Sequence, residues 1–352
     1  MLKHYMMITF GYLWYEGSES VRFMKKYDVY GIGNALVDLE FKVSDDFFEM
    51  HGIDRGHMTL VDETRQNQLM ASIDHNHTKK QSGGSAANSI IAVSQFGGKT
   101  YYSCKVANDE FGDFYMHDLK GAGVDSNIHN SDRQEGITGK CLVMVTPDAE
   151  RTMNTFLGIT EQLSPAEIDE EALKNSKYLY IEGYLVTTAR GHEAMLRTKK
   201  IACDNGVKTS MTFSDTNMVR YFRKNIDAVV GAGMDLIFCN EEEAMVFTGK
   251  DNILDAREEM KKVAGTFAIT LGKNGAMIYD GDTFIDIEPY KVNAIDTNGA
   301  GDMFAGAFLY GITHGHSHAQ AGKIASLASS RVVSQFGPRL SRAQAKDILS
   351  HF

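Results

Sequence analysis

The sequence predicts an α/β protein with a mostly parallel central sheet, helices on both faces, and a small β-sheet lid. Three observations carry that expectation. Short apolar runs, each followed by polar or glycine residues, stand at 27–32, 178–181, 236–239 and 267–271. Helical stretches lie between them at 85–96, 113–121, 192–205, 240–248 and 253–264. A short, continuously apolar strand is buried on both faces, and its alternation with amphipathic helices is the pattern of a parallel sheet covered on both sides. Two stretches break that rhythm, at about 36–61 and 137–160. In the second, β-rich runs at 142–145 and 152–156 flank Pro147-Asp148, a turn-forming pair, and so predict a hairpin. Both stretches are read as a lid over the carboxyl ends of the strands, where ligands bind in open α/β sheets.

Composition narrows the function classes. The chain has 352 residues, 43% of them hydrophobic and 23% charged, which gives ample material for a packed core and excludes a disordered or fibrous protein. The net charge of −10 provides no general basic surface for nucleic acid, so any anion site must come from backbone amides, a metal ion or a few placed cations. The four cysteines (Cys104, Cys141, Cys203 and Cys239) form no C-x-x-C pair. Reduced thiols in a cytoplasmic protein are expected, rather than a zinc or redox motif. No run of about 18 apolar residues predicts a membrane span. Residues 1–23 are expected to be an extension outside the fold, with one domain over 24–352.

Three glycine-containing segments are placed to do chemistry. Asp296-Thr297-Asn298-Gly299-Ala300-Gly301-Asp302 precedes a helical periodicity. Small residues there allow a ligand to approach the backbone, and the first helical turn offers unpartnered amides at the positive end of the helix dipole. Asp302 falls in that first turn. Either it orients and deprotonates a hydroxyl attacking phosphorus, or the segment is an ordinary acidic loop–helix junction. A base at that helix end is expected to have a lowered pKa. The second segment, Ser82-Gly83-Gly84-Ser85-Ala86-Ala87-Asn88, also opens a helix, and Asn88 offers both a donor and an acceptor. The third, Gly31-Ile32-Gly33-Asn34, leaves a strand. It lacks the third glycine of a dinucleotide fingerprint, because Leu36 stands there. Asp38 instead suits a sugar diol.

Asn240 and Glu243 follow a strand and open a helix. They read either as a capping box or as water-mediated magnesium ligands. Thr270-Leu271-Gly272 ends another strand in a turn that could meet a nucleotide. The alternating His314, His316 and His318, like His75 and His77, have no acidic or cysteine partner nearby and are read as structural or surface residues. Neither a P-loop nor a G-x-S-x-G run occurs.

In this order, G-x-G-N with Asp38, GGSAAN, N-x-x-E, T-L-G and DTNGAGD resemble the PfkB, or ribokinase-like, family of carbohydrate kinases over nearly all of the chain after Met24. GNALVD, YIEGYL and DTNGAGD are most similar to its adenosine kinase members. The resemblance implies a ribokinase-like fold and ATP-dependent phosphorylation of the primary (5′) hydroxyl of a nucleoside, with adenosine the leading acceptor. A free-sugar kinase is the alternative, and a catalytically silent ligand-sensing module a remote one. It implies Asp302 as base, the amides of Asn298, Gly299, Ala300 and Gly301 as an anion hole, and Arg151 as a phosphate clamp. It further implies Asn34, Asp38, Gly84, Asn88 and Tyr184 as acceptor contacts, Asn240, Thr270 and Gly272 at ATP, and Glu243 on magnesium through water. Asp296, Val332, Gln335 and Gly337 occupy the places of a potassium site, with carbonyls as the ligands the resemblance implies. The partners implied are small molecules, with a monomer or a homodimer as the assembly. Three residues depart from the family pattern: Pro338 replaces the common alanine, Leu185 a second aromatic, and Glu182 a small residue.

Overall fold

The structure is a computed structural model that describes residues 25–56, 58–73, 79–129, 133–147 and 151–352. The expected extension at 1–23 and Asp148 of the expected turn lie outside the described residues, as do His75 and His77. Among the described residues, fourteen strands form two sheets. In chain order they are β1 (Tyr27–Ile32), β2 (Leu36–Lys42), β3 (Met58–Leu60), β4 (Lys79–Gly83), β5 (Thr100–Ser103), β6 (Val124–Ser126) and β7 (Thr138–Val145). They continue as β8 (Arg151–Gly158), β9 (Ser176–Glu182), β10 (Lys208–Thr212), β11 (Met234–Asn240), β12 (Ala264–Thr270), β13 (Ala276–Tyr279) and β14 (Phe284–Ile287).

The large sheet has the order β14-β13-β12-β11-β10-β9-β1-β5-β6 and is parallel from β12 to β6, with an antiparallel hairpin, β13-β14, at one edge. Each of the four expected strands is present. Side chains alternate into two cores, as a sheet covered on both faces requires. Val29, Tyr180 and Phe238 pack on the side of helices Ser85–Gln95 and Ala300–Thr313. Tyr30, Ile181 and Ile237 pack on the other, with helix Ala189–Asp204. The first two helices approach closely at Gly306, where an added Cβ would lie 2.4 Å from the Ser89 carbonyl oxygen. That contact brings the glycine segments that open both helices side by side.

The polar strand β10 has no counterpart among the expected strands. Its Thr209 hydroxyl donates to Asp235 (2.9 Å) and its Ser210 hydroxyl to the Leu179 carbonyl (2.6 Å), so hydrogen bonding rather than apolarity permits burial. The helix expected over 253–264 stops at Met260, because Ala264 already begins β12. The helix expected from 113 starts at Glu110, capped by Asp109, whose carboxylate accepts from the Gly112 amide.

The lid is a second sheet, β3-β8-β7-β2-β4. The expected hairpin is β7-β8, paired antiparallel from Thr138↔Gly158 to Val145↔Arg151. The expected segment 36–61 supplies β2 and β3 but is interrupted by a helix, Asp45–His51. The edge strand β4 lies outside both expected segments, since its sequence, KKQSG, carries no apolar signal. Among the described residues, no helix is long and apolar enough to cross a membrane.

Candidate active site

A cavity of about 360 Å³ opens at the carboxyl ends of the parallel strands, where Asn34, Glu182, Thr212, Asn240 and Thr270 end or follow successive strands. That is a small-molecule volume at the position where α/β sheets bind ligands. Leu36, Met58, Leu60, Met153 and Leu157 of the lid form its roof.

Gly299 caps helix Ala300–Thr313 in the left-handed region (φ 75°) and is pressed against Pro338, which lies 2.2 Å from where a Cβ would sit. Only glycine fits, because of the positive φ and because the Cβ and backbone of residue 338 fill the space a side chain would need. Of the four amides expected to form an anion hole, Asn298 N donates to Asp296 (3.0 Å) and Ala300 N to the Thr297 carbonyl (3.3 Å). The amides of Gly299 and Gly301, both in the cavity wall, have no such partner among the described residues. Asp302 lies in the first turn beside them, half-buried. Its carboxylate accepts from Ser85 Oγ (2.7 Å) and Asn88 Nδ2 (3.1 Å). The expected lowering of its pKa is not found. Burial outweighs these hydrogen bonds and the charge of Arg339, and pushes Asp302 up to about 6, suited to a general base near neutrality.

Asp38, on β2, faces the same cavity, and burial raises its carboxyl to about 7, against the pull of Arg339. It lies directly over Gly83, whose added Cβ would meet Asp38 Oδ1 at 2.1 Å. Gly84 lines the cavity at φ 105°, and a Cβ added there would lie 2.3 Å from the Asn34 carbonyl oxygen. Asn34 donates its side-chain amide to Glu182 Oε1 at 2.7 Å, and Ala86 N donates to Glu182 Oε2 at 2.9 Å. Glu182, absent from the expected site, ties the first glycine segment to the second. Burial pushes it up to about 7.

Asn240 and Glu243 form a complete capping box. Asn240 Oδ1 accepts from Glu243 N (2.8 Å), and the Glu243 carboxylate accepts from Asn240 N and Nδ2 (both 3.0 Å). Both line the cavity, as does Thr270, whereas Gly272 sits in the following turn outside the wall. Among the described residues no cluster of three acidic, His or Cys side chains could hold a metal. This donor set fits magnesium held chiefly by phosphate oxygens and water, with Glu243 at its outer shell.

Arg151 does not reach the cavity wall. Its guanidinium, on β8, pairs with Asp296 (2.5 Å) and Glu40 (3.1 Å). Asp296 Oδ2 also accepts from Gly337 N at 2.7 Å. The carboxylate expected for potassium is therefore already paired with a guanidinium, which it shares with Glu40, and hydrogen-bonded on both oxygens. Val332 is fully buried with its carbonyl accepting from Gln335 N (3.1 Å), and the Gln335 side chain bonds the Arg339 carbonyl and Gln344.

Tyr184 lines the cavity and also packs against the core behind it. Leu185 is buried in that core and does not shape the wall. Among the described residues of the wall there is no Lys, Arg or His.

The family model described as pfkB family carbohydrate kinase matches residues 56–345. The solved structure of a probable sugar kinase protein from Rhizobium etli is 33% identical, with a TM-score of 0.86 over 94% of this chain and 100% of that one. The adenosine kinase from Sinorhizobium meliloti is likewise 33% identical, with a TM-score of 0.85 over 92% and 99%. A 5-dehydro-2-deoxygluconokinase from Clostridium perfringens is 28% identical over 72% of this chain and 78% of its own length.

Proposed function

The chain belongs to the pfkB family of carbohydrate kinases and is a phosphotransferase with an alcohol acceptor, and from that premise we propose that it phosphorylates the 5′-hydroxyl of a nucleoside, adenosine first, from ATP. The observation that carries this reading is the cavity wall. It has no described cation to meet an acidic sugar, it has carboxylates for hydroxyl groups, and it has an apolar roof facing Tyr184. A neutral acceptor with a polar ribose end and a flat apolar end fits that distribution.

Asp38 and Asn88 hold the ribose hydroxyls. Asp302 accepts the proton of the 5′-hydroxyl as its oxygen bonds to the γ-phosphorus and the bond to ADP breaks. The amides of Gly299 and Gly301 hold the charge on the transferred group. A loose transition state requires the proton to leave only late, so positioning contributes more than basicity. Magnesium would neutralise phosphate charge, with Glu243 facing its water. The lid closes the site and keeps water from ATP. Four free cysteines are in keeping with a reducing cytoplasm.

A free sugar is the second reading, favoured by the names of the Rhizobium etli and clostridial relatives. ATP consumption with adenosine, inosine, cytidine, ribose, fructose and 5-dehydro-2-deoxygluconate separates the two. Turnover of a nucleoside far above ribose supports the first reading. Preference for a bare sugar replaces it with the second, and preference for the sugar acid overturns the inference from a wall without cations.

A further inference from the structure

We propose that Arg339 is a positioning residue of the transfer step: by fixing the orientation of the Asn88 amide, it holds the Asp302 carboxylate in place to receive the acceptor's proton. This rests on the reading of Asp302 as the base.

Arg339 follows Pro338 in the loop that presses on Gly299, and its side chain is only 12% exposed. Its Nε donates to Asn88 Oδ1 at 3.2 Å, its Nη1 to Asp118 Oδ2 at 2.9 Å and its Nη2 to Ser82 Oγ at 2.9 Å. On the far side of the same amide, Asn88 Nδ2 donates to Asp302 Oδ2 at 3.1 Å. An asparagine amide can be turned either way, presenting oxygen or nitrogen to a given neighbour. A guanidinium has only donors and therefore accepts only the orientation with Oδ1 toward itself. That orientation turns the amide donor toward Asp302. The reversed amide would set an oxygen against the carboxylate and a nitrogen against the guanidinium, two repulsive contacts in a buried site. Asp118, on helix Glu110–Gly121, and Ser82, on β4, anchor the other end of the fork, so the guanidinium is held by the protein rather than by the ligand. Arg339 is not in the cavity wall and acts through Asn88.

The charge of Arg339 has a second consequence. The charged groups facing Asp302 are Arg339, Glu182 at the end of β9 and Asp38 on β2, and the tyrosines Tyr102, Tyr180 and Tyr184 lie within its field. Arg339 is the cation among them. It opposes the effect of burial on both Asp302 and Asp38.

The test measures kcat at saturating ATP and acceptor, from pH 5 to 9, for wild type, Arg339→Gln, Arg339→Lys, Asn88→Ala and the double variant Arg339→Lys/Asn88→Ala. Arg339→Gln is expected to lower kcat about 10- to 100-fold, the scale of a misplaced reacting group, and to move the acid limb to higher pH. Arg339→Lys keeps the charge but loses the fork, so kcat falls while the limb stays near that of wild type. In the Asn88→Ala background the lysine substitution is expected to cost less than about twofold, because the route is already cut. Should Arg339→Gln fail to fold by circular dichroism, the lysine variant and the cycle decide. Wild-type kcat and limb in the Arg339 variants, or full additivity in the double variant, overturn the positioning role alone. Wild type inactive on every acceptor overturns the kinase reading together with it.

Discussion

Arg151 on the lid and Asp296, just before the glycine segment Asn298–Gly301, form an ion pair of 2.5 Å in which the aspartate side chain is wholly buried. It joins the roof of the cavity to the loop that begins helix Ala300–Thr313. Removing one partner of a buried pair leaves an uncompensated charge, at about 3–5 kcal/mol. Arg151→Ala should therefore lower the melting temperature markedly. Because Arg151 already supplies the positive charge at Asp296, wild-type activity should be the same in potassium, sodium or tetramethylammonium chloride at equal ionic strength. The arginine-less variant should be partly restored by potassium over tetramethylammonium. Potassium-dependent wild-type activity would show that the pair opens to admit the ion.

The elevated pKa of Asp302 gives a signed pH prediction. The base works ionised, so kcat/KM should fall as pH drops through about 6. Asp302→Asn should cost on the order of 10²–10⁴ in rate at pH 8. Stability runs the other way. A carboxyl raised in the fold contributes stability that is present below its unfolded value and lost as pH rises through about 6. The asparagine variant should therefore melt higher than wild type at pH 8, by less at pH 5, and draw nearly level with it only below about pH 4. An acid limb that stays near pH 4 in wild type would contradict the burial argument.

Much of this architecture is legible in the chain because it is written in local pattern. The apolar runs that became β1, β9, β11 and β12 report burial on both faces, and the glycine segments before Ser85 and Ala300 report backbone approach. What is not legible depends on partners distant in sequence. β10 is buried because Asp235 and the Leu179 carbonyl satisfy its hydroxyls, which its own five residues cannot announce. Arg339 meets Asn88 across 251 positions, and only the fold makes it part of the site. The pKa of Asp302 is open to misreading for the same reason: the helix dipole is visible in sequence, whereas the desolvation that outweighs it is not.

Gly83 offers a steric probe of Asp38 that leaves the aspartate itself unchanged. A Cβ there would fall 2.1 Å from Asp38 Oδ1, and Gly83 is not in the left-handed region, so alanine strains the carboxylate rather than the backbone. Losing a charged hydrogen-bond acceptor costs about 1.5–3 kcal/mol, or roughly 10- to 100-fold in acceptor affinity. Gly83→Ala should raise KM for the acceptor on that scale while KM for ATP holds. An unchanged acceptor KM alongside a lowered melting temperature would take Asp38 out of the acceptor site.

Tyr184 and Leu185 are neighbours with opposite duties, and the contrast tests acceptor class. Tyr184 shares the cavity wall with the lid's apolar roof, whereas Leu185 is 3% exposed in the core behind it. Stacking of a base on an aromatic ring contributes about 1–3 kcal/mol. Tyr184→Ala should therefore raise KM for adenosine some 10- to 100-fold and leave any residual turnover of ribose unaltered, since ribose has no aromatic base to stack. Leu185→Ala should cost about 2–5 kcal/mol of stability through the cavity it opens, and leave the ratio of adenosine to ribose turnover where it was. The discriminating quantity is that ratio of kcat/KM values, because both variants share any general loosening of the strand end. If Tyr184→Ala weakens both acceptors equally, the flat apolar wall does not serve a base. A free sugar would then be the better assignment for this cavity.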